Sequence, residues 1–159
     1  MIRTANNDDL RVLSCFARIV AREMQQKGIQ QWSNLYPALQ DFEKDMSHNA
    51  LYVIENDNGL IGSITLLPEN DPYYRLLSWK TYKALVIHRL MILPAFRGNK
   101  LGTMLFQFAI DKAKSEGYDG IKVDTHPDNF RMRGLIKSMG FYEVGYMPVF
   151  NRIGYEIKF

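Results

Sequence analysis

The chain contains one cysteine, Cys15, among 159 residues. An intramolecular disulfide and any multi-cysteine zinc site are thereby excluded, and a reducing cytoplasm is the expected home. Long hydrophobic runs are missing as well. Stretches such as Leu90-Met91-Ile92-Leu93 are far too short to cross a bilayer, so no membrane partner is expected. The opening residues, Met1-Ile2-Arg3-Thr4-Ala5-Asn6-Asn7-Asp8-Asp9, lack the basic and apolar regions of a signal peptide. Charge of either sign is in little excess. Twenty Lys and Arg against 17 Asp and Glu leave a formal +3, and no basic block stands out to attract nucleic acid. No metal-ligand cluster, repeat, linker or low-complexity segment is visible. What is present is ordinary globular material, 47% hydrophobic and 23% charged, with a 13% aromatic share that suits a pocket or interface as well as a core. One domain over residues 1–159 is expected.

The periodicities give an element order. Ile2 to Thr4 reads as a short strand, after which Asn7 or Asp8 can cap a helix carrying Leu13, Phe16, Ala17, Val20 and Met24. Cys15, among these residues, reads as a small core residue. A segment with Trp32, Tyr36 and Pro37 precedes a shorter helix with Leu39, Phe42 and Met46 on one face. Leu51–Glu55 and Leu60–Leu67 read as strands joined by a hairpin turn at Asn58-Gly59. Residues 68–83 are irregular and aromatic, with Tyr73, Tyr74, Trp79 and Tyr82, and read as a long excursion beside a pocket. Ala84–Leu93 is the most hydrophobic strand. A helix with Leu101, Met104, Leu105, Phe108, Ala109 and Ala113 follows, then a half-buried strand with Ile121 and Val123. Asp128 or Asn129 can cap a last helix closed by Gly140, and two strands end the chain. The order predicts a mixed α/β (α+β) sheet around one core.

The stretch Leu90-Met91-Ile92-Leu93-Pro94-Ala95-Phe96-Arg97-Gly98-Asn99-Lys100-Leu101-Gly102 carries the chemistry. A buried strand enters a basic, glycine-containing loop that opens directly into a strong helix. Such a junction aims backbone N–H groups and the positive end of a helix dipole at one spot, which suits a phosphate. The alternative is an ordinary strand–helix turn with surface cations. Neither the GxxxxGK[ST] of a P-loop nor the GxGxxG of a dinucleotide fold is present.

With Arg97, Gly102, the helix after them, Asn129 and the pair Gly140-Phe141 in this order, the sequence resembles the GNAT N-acetyltransferase superfamily. The family's acyl-CoA loop reads Arg/Gln-x-x-Gly-x-Gly/Ala; Arg97 and Gly102 fill its ends, and Lys100 replaces the middle glycine. Where many members carry a tyrosine after the asparagine, this chain has Ile136. The resemblance implies a mostly antiparallel central sheet of about seven strands with flanking helices, splayed in the middle for acyl-CoA. It implies acetyl-CoA as co-substrate and no metal. Leu90, Met91 and Ile92 would pair with the pantetheine arm through their backbone. Amides of Arg97, Gly98, Asn99, Lys100, Leu101, Gly102 and Thr103 would hold the pyrophosphate, and Asn129 would bond the cofactor arm. A lysine in the middle position resists a positive φ, which predicts a subtly different loop.

The reaction implied is direct attack of a neutral amine, on a small molecule or a peptide, on the acetyl thioester. A base must take the amine's proton, and an acid suits the departing thiolate. His88 precedes Leu90 and Ile92 by two and four residues, so strand alternation puts it on their face of the sheet. It is the general-base candidate, similar in place to a histidine of arylalkylamine acetyltransferases; the other reading is a structural strand histidine. His48 and His126 read as exposed or structural. Ile136 cannot be the acid, Tyr142 and Tyr146 lie near it in sequence, and the acid stays unassigned. Trp32 and Tyr36 either roof the acceptor site or staple the helices to the sheet. Tyr73 and Trp79 are acceptor candidates from the excursion. These segments are aromatic with few carboxylates, which points to an aromatic or apolar amine. A catalytically silent acyl-CoA-binding sensor is the competing function, and the aromatic closing strands offer an edge for a homodimer.

Overall fold

The structure, a computed structural model, describes residues 1–159. In chain order the elements are β1 (Ile2–Thr4), α1 (Asn7–Gln26), α2 (Leu39–Ser47), β2 (Leu51–Asn56), β3 (Gly59–Leu67), β4 (Ala84–Ile92), α3 (Leu101–Ser115), β5 (Gly120–Thr125), α4 (Phe130–Ser138), β6 (Tyr142–Met147) and β7 (Arg152–Lys158), with short 3-10 turns at Pro72–Leu76 and Pro94–Phe96. The seven strands form one open sheet in the order β1-β2-β3-β4-β5-β7-β6. Pairs β1–β2, β2–β3, β5–β7 and β6–β7 are antiparallel and β4–β5 is parallel, so the sheet is mixed and mostly antiparallel as expected. No helix is long and apolar enough to cross a membrane. The chain packs as two compact units, Met1–Leu66 with His88–Leu105, and Leu67–Ile87 with Phe106–Phe159.

In the first unit α1 starts one residue earlier than the sequence suggests. Asn6 is the cap: its side chain accepts the Asp8 N–H at 2.9 Å, while the Asp9 carboxylate accepts the Asn6 N–H at 2.8 Å. Reciprocal capping of this kind satisfies two helix-terminal donors. Leu13, Ala17, Val20 and Ala21 then face inward against Trp32, Phe42, Val53 and Met91. Burying a side chain such as Leu13 is worth roughly 1.5–3 kcal/mol, and this stripe decides how the helix lies. Cys15 is exposed, against expectation. It lies two positions from both Leu13 and Ala17, and a step of two on a helix turns to the opposite face. The β2–β3 turn also shifts by one residue, because Asn56 pairs with Gly59 and leaves Asp57-Asn58 in the turn. At Gly62 the neighbouring strand comes so close that an added Cβ would lie 2.4 Å from the Met91 carbonyl oxygen.

In the second unit β5 is buried on both faces. Ile121 and Val123 are in the core as predicted, but Lys122 is also buried, its ammonium 4.9 Å above the Trp79 ring and 3.2 Å from the Asn70 side-chain oxygen. A strand with neighbours on both sides and layers above and below has no solvent face, which is why the alternation misleads. Burial pushes the Lys122 ammonium below its usual pKa. The 68–83 excursion is tied down by Glu156 of β7, whose carboxylate accepts the Lys80 and Thr81 N–H groups at 2.7 and 3.2 Å. Asn129, one of the two expected caps, accepts the Met132 N–H at 3.2 Å and starts α4. Gly140 ends that helix at φ +88°, delivering Phe141 edge-on to Phe106 at 5.5 Å. The β4–β5 ladder runs from Ala84↔Gly120 to Val86↔Lys122.

Candidate functional site

Strand β4 does not keep a regular pleat. Arg89, in its middle, has φ +47°, the left-handed region that a non-glycine residue enters at a cost of about 1–2 kcal/mol. Two-residue alternation therefore does not carry from His88 to Leu90, and the argument that put them on one face fails at this kink. Beyond the kink Met91 is buried while Leu90 and Ile92 are half-buried, and the Leu93 N–H donates to the Ile61 carbonyl at 2.9 Å. His88 itself is half-buried, with its Nε2 shielded from solvent.

Pro94–Phe96 then turns the chain, and the loop reaches α3 through two left-handed residues, Gly98 at φ +86° and Lys100 at φ +59°. Lys100 adopts the left-handed conformation of a glycine despite its side chain, and bears the strain. The first helical bond runs from the Met104 N–H to the Lys100 carbonyl at 3.0 Å. The N–H groups of Leu101, Gly102 and Thr103 precede it and have no partner within the helix. Arg97 departs from its expected part. Its N–H donates to the Pro94 carbonyl at 3.3 Å, and its guanidinium pairs with Glu23 of α1. Burial alone would raise the Glu23 pKa, but Lys27 and Arg97 prevail and hold the carboxyl below its ordinary range. Of the residues expected to hold a phosphate, Arg97 is thus engaged elsewhere through both its side chain and its amide.

On the same unit Arg18 donates to the carbonyls of Ser33 and Pro37 and fixes the 33–37 segment. Trp32, before it, is 6% exposed and packs among core side chains, the arrangement of a staple. Tyr36 is 41% exposed and accepts a hydrogen bond from Arg89 Nη1 at 3.0 Å. Arg89 also grips Asp45 of α2 through Nε, at 2.6 Å, and Nη2. Asp45 is 1% exposed and additionally accepts the Thr65 hydroxyl at 2.7 Å. The sequence did carry a signal for this pair: Asp45 sits three residues after Phe42 on the apolar stripe of α2, and Arg89 is a lone guanidinium in a hydrophobic strand.

The second unit carries its own polar network. Asp124 accepts the Tyr74 hydroxyl at 2.7 Å and the Tyr73 hydroxyl at 3.2 Å, and Tyr73 also reaches Asp71 at 3.2 Å. Burial, and then the carboxylates, push both phenols well above their usual pKa, so both stay protonated. Trp79 is half-buried, donating its indole N–H to the Tyr74 carbonyl at 2.7 Å. His126 is buried, with burial and Arg152 lowering its pKa, and its Nδ1 accepts the Asp128 N–H at 3.0 Å. Ile136 is fully buried. Tyr142 donates to Glu156 at 2.8 Å, and burial together with that carboxylate pushes its phenol up to about 12.

A family model described as the acetyltransferase (GNAT) family matches residues 13–141. The chain belongs to the acetyltransferase (GNAT) family. Acetyl transfer from acetyl-CoA is general for that family. A GNAT acetyltransferase from Streptococcus agalactiae superimposes with a TM-score of 0.87 at 22% identity, covering 100% of this chain and 95% of that one. A putative acetyltransferase from Staphylococcus aureus gives 0.78 at 27% identity, covering 99% and 98%. Human N-acetyltransferase 8B is 26% identical over 97 residues, which are 61% of this chain and 40% of that protein's length. The GNAT match runs through α1, the kinked strand, the loop, α3 and α4 to Phe141.

Proposed function

We propose that the protein transfers an acetyl group from acetyl-CoA to an amine of a small molecule or peptide, by direct attack while both are bound. The observation that carries this reading is the loop at the start of α3, where Gly98 and Lys100 are both left-handed and three helix-terminal amides follow. Amides so placed favour an anionic diphosphate without needing a dedicated side chain. Leu90, Met91 and Ile92 supply the strand backbone along which the donor's amide arm would lie. The N–C bond forms as the neutral amine adds to the acetyl carbonyl, the C–S bond breaks, and the sulfur leaves as thiolate or, protonated, as thiol. His88, whose claim rests on its place ahead of the loop and not on strand alternation, is the base we assign to the amine's proton. Tyr36, exposed and held by Arg89, is the acceptor-side residue on this unit.

Release of free thiol from acetyl-CoA in the presence of an amine panel tests the reading. Active amines are expected, and His88→Ala should lower kcat by about 10²–10⁴-fold with little change in the acetyl-CoA dissociation constant. A folded His88→Ala protein with undiminished turnover would remove His88 from the reaction and leave the proton to water. Tight acetyl-CoA binding with no thiol release from any amine would favour the silent sensor, for which buried Ile136 at the family's tyrosine position is the supporting feature.

A further inference from the structure

The kink in β4 stands directly before the three residues assigned to the donor, and nothing in its local sequence favours it. Arginine is not a residue that chooses φ +47° in a strand. Something outside the strand must hold it there. The candidate is the Asp45 carboxylate, 1% exposed, which takes both Nε and Nη2 of Arg89 and is itself fixed by the Thr65 hydroxyl of β3. Two parallel bonds to a carboxylate set the orientation of the guanidinium as well as its position. A guanidinium fixed in orientation on a buried anchor constrains the backbone that carries it. We propose that Asp45 and Arg89 are positioning residues: their ion pair clamps the left-handed turn of β4 and so sets the direction of the Leu90–Ile92 backbone toward the acyl donor. The clamp joins α2, β3 and β4 within one unit, and its outer nitrogen, Nη1, reaches the Tyr36 hydroxyl. Its role toward the donor rests on the acetyltransferase reading above. Its hold on the strand does not.

Two measurements separate these layers. The first needs no ligand. Amide hydrogen exchange at Leu93, whose N–H bonds the Ile61 carbonyl just past the kink, reports on strand pairing there; the Ala5 amide, bonded to the Leu51 carbonyl at 2.9 Å, is the reference. Asp45→Asn, with the carboxylate's shape and without its charge, should speed exchange at Leu93 by about tenfold or more relative to Ala5. Equal change at both amides, or none, would overturn the clamp. The second measurement compares Arg89→Gly with Arg89→Ala by acetyl-CoA titration. Glycine enters the left-handed region without strain whereas alanine resists it, so Arg89→Gly should keep an affinity several-fold tighter than Arg89→Ala. A turn that the donor does not depend on predicts no such rescue, and equal affinities in the two variants would overturn the positioning role. If Asp45→Asn does not fold, Arg89→Lys, which keeps the charge but cannot make the paired Nε and Nη2 bonds, is read at the same two amides with the same deciding outcomes. A wild-type protein that binds no acetyl-CoA but shows the exchange result would keep the clamp and defeat the acetyltransferase reading instead.

Discussion

At the scale of single residues, the loop before α3 separates two roles that a basic motif tends to merge. Arg97 looks like the phosphate ligand, yet its guanidinium is spent on Glu23 and its amide on Pro94. Gly102 is the second residue of α3 and one of the three whose N–H has no partner within the helix. Gly102→Glu is expected to abolish acetyl-CoA binding while the domain stays folded, since an acidic residue in a first helical turn suits the helix dipole. Arg97→Ala should weaken binding by no more than about tenfold, or about 1.4 kcal/mol. Calorimetric titration of the two variants checks the order, and a reversed order would mean that the Arg97 side chain, not the main chain, grips the phosphates. Lys100 bears on the same point. It accepts a strained φ of +59°, so the loop's shape is worth more to the fold than the strain costs.

At the scale of elements, β7 and β3 each carry a testable consequence. Glu156 in β7 holds the excursion by its amides. Burial would raise its pKa, but the Lys80 and Thr81 N–H groups, the Thr81 hydroxyl and Tyr142 outweigh that and leave it lowered from 4.5. A carboxyl whose folded pKa lies below its unfolded one stabilises the fold above the unfolded value and loses that contribution as pH falls through the folded value. Thermal melts should therefore drop as pH is taken below about 4.5, and Glu156→Gln should melt lower than wild type at pH 7 with a shallower acid decline. An unchanged acid slope in the variant would show that other carboxylates dominate. Gly62→Ala should destabilise by about 1–3 kcal/mol in urea unfolding, because its Cβ would meet the Met91 carbonyl, a backbone atom that cannot step aside. Equal stability would mean that β3 and β4 separate freely. The elements themselves were largely legible: α1 and α3 by helical period, β4 by its hydrophobicity, and β2 by the hairpin turn that follows it. Boundaries and faces were less so. Asn6 displaced the expected caps because its partner Asp9 completes a capping pair, and Lys122 is buried because the strand order, invisible in sequence, makes β5 central. The turn from β4 into α3 could be read from Arg97 to Gly102. The kink at Arg89 could not, for it depends on Asp45, 44 residues away in the chain.

At the scale of the whole molecule, ligand linkage gives the broadest check. Acetyl-CoA at a hundred times its dissociation constant should stabilise the folded protein by about 2.7 kcal/mol, raising Tm by roughly 5–10 °C for a chain of this size. Scanning calorimetry with and without millimolar acetyl-CoA measures it, and an unmoved transition would leave the loop without its ligand. Cys15 has a practical bearing on the assays above. It is the sole cysteine, and it sits on the outer face of α1. A chromogenic disulfide used to follow liberated CoA would therefore meet a sulfhydryl on the enzyme as well, and each chain would register up to one equivalent of colour before any substrate was added. Cys15→Ser would give a blank baseline, and in the unmodified protein the same sulfhydryl offers a single point for attaching a fluorophore.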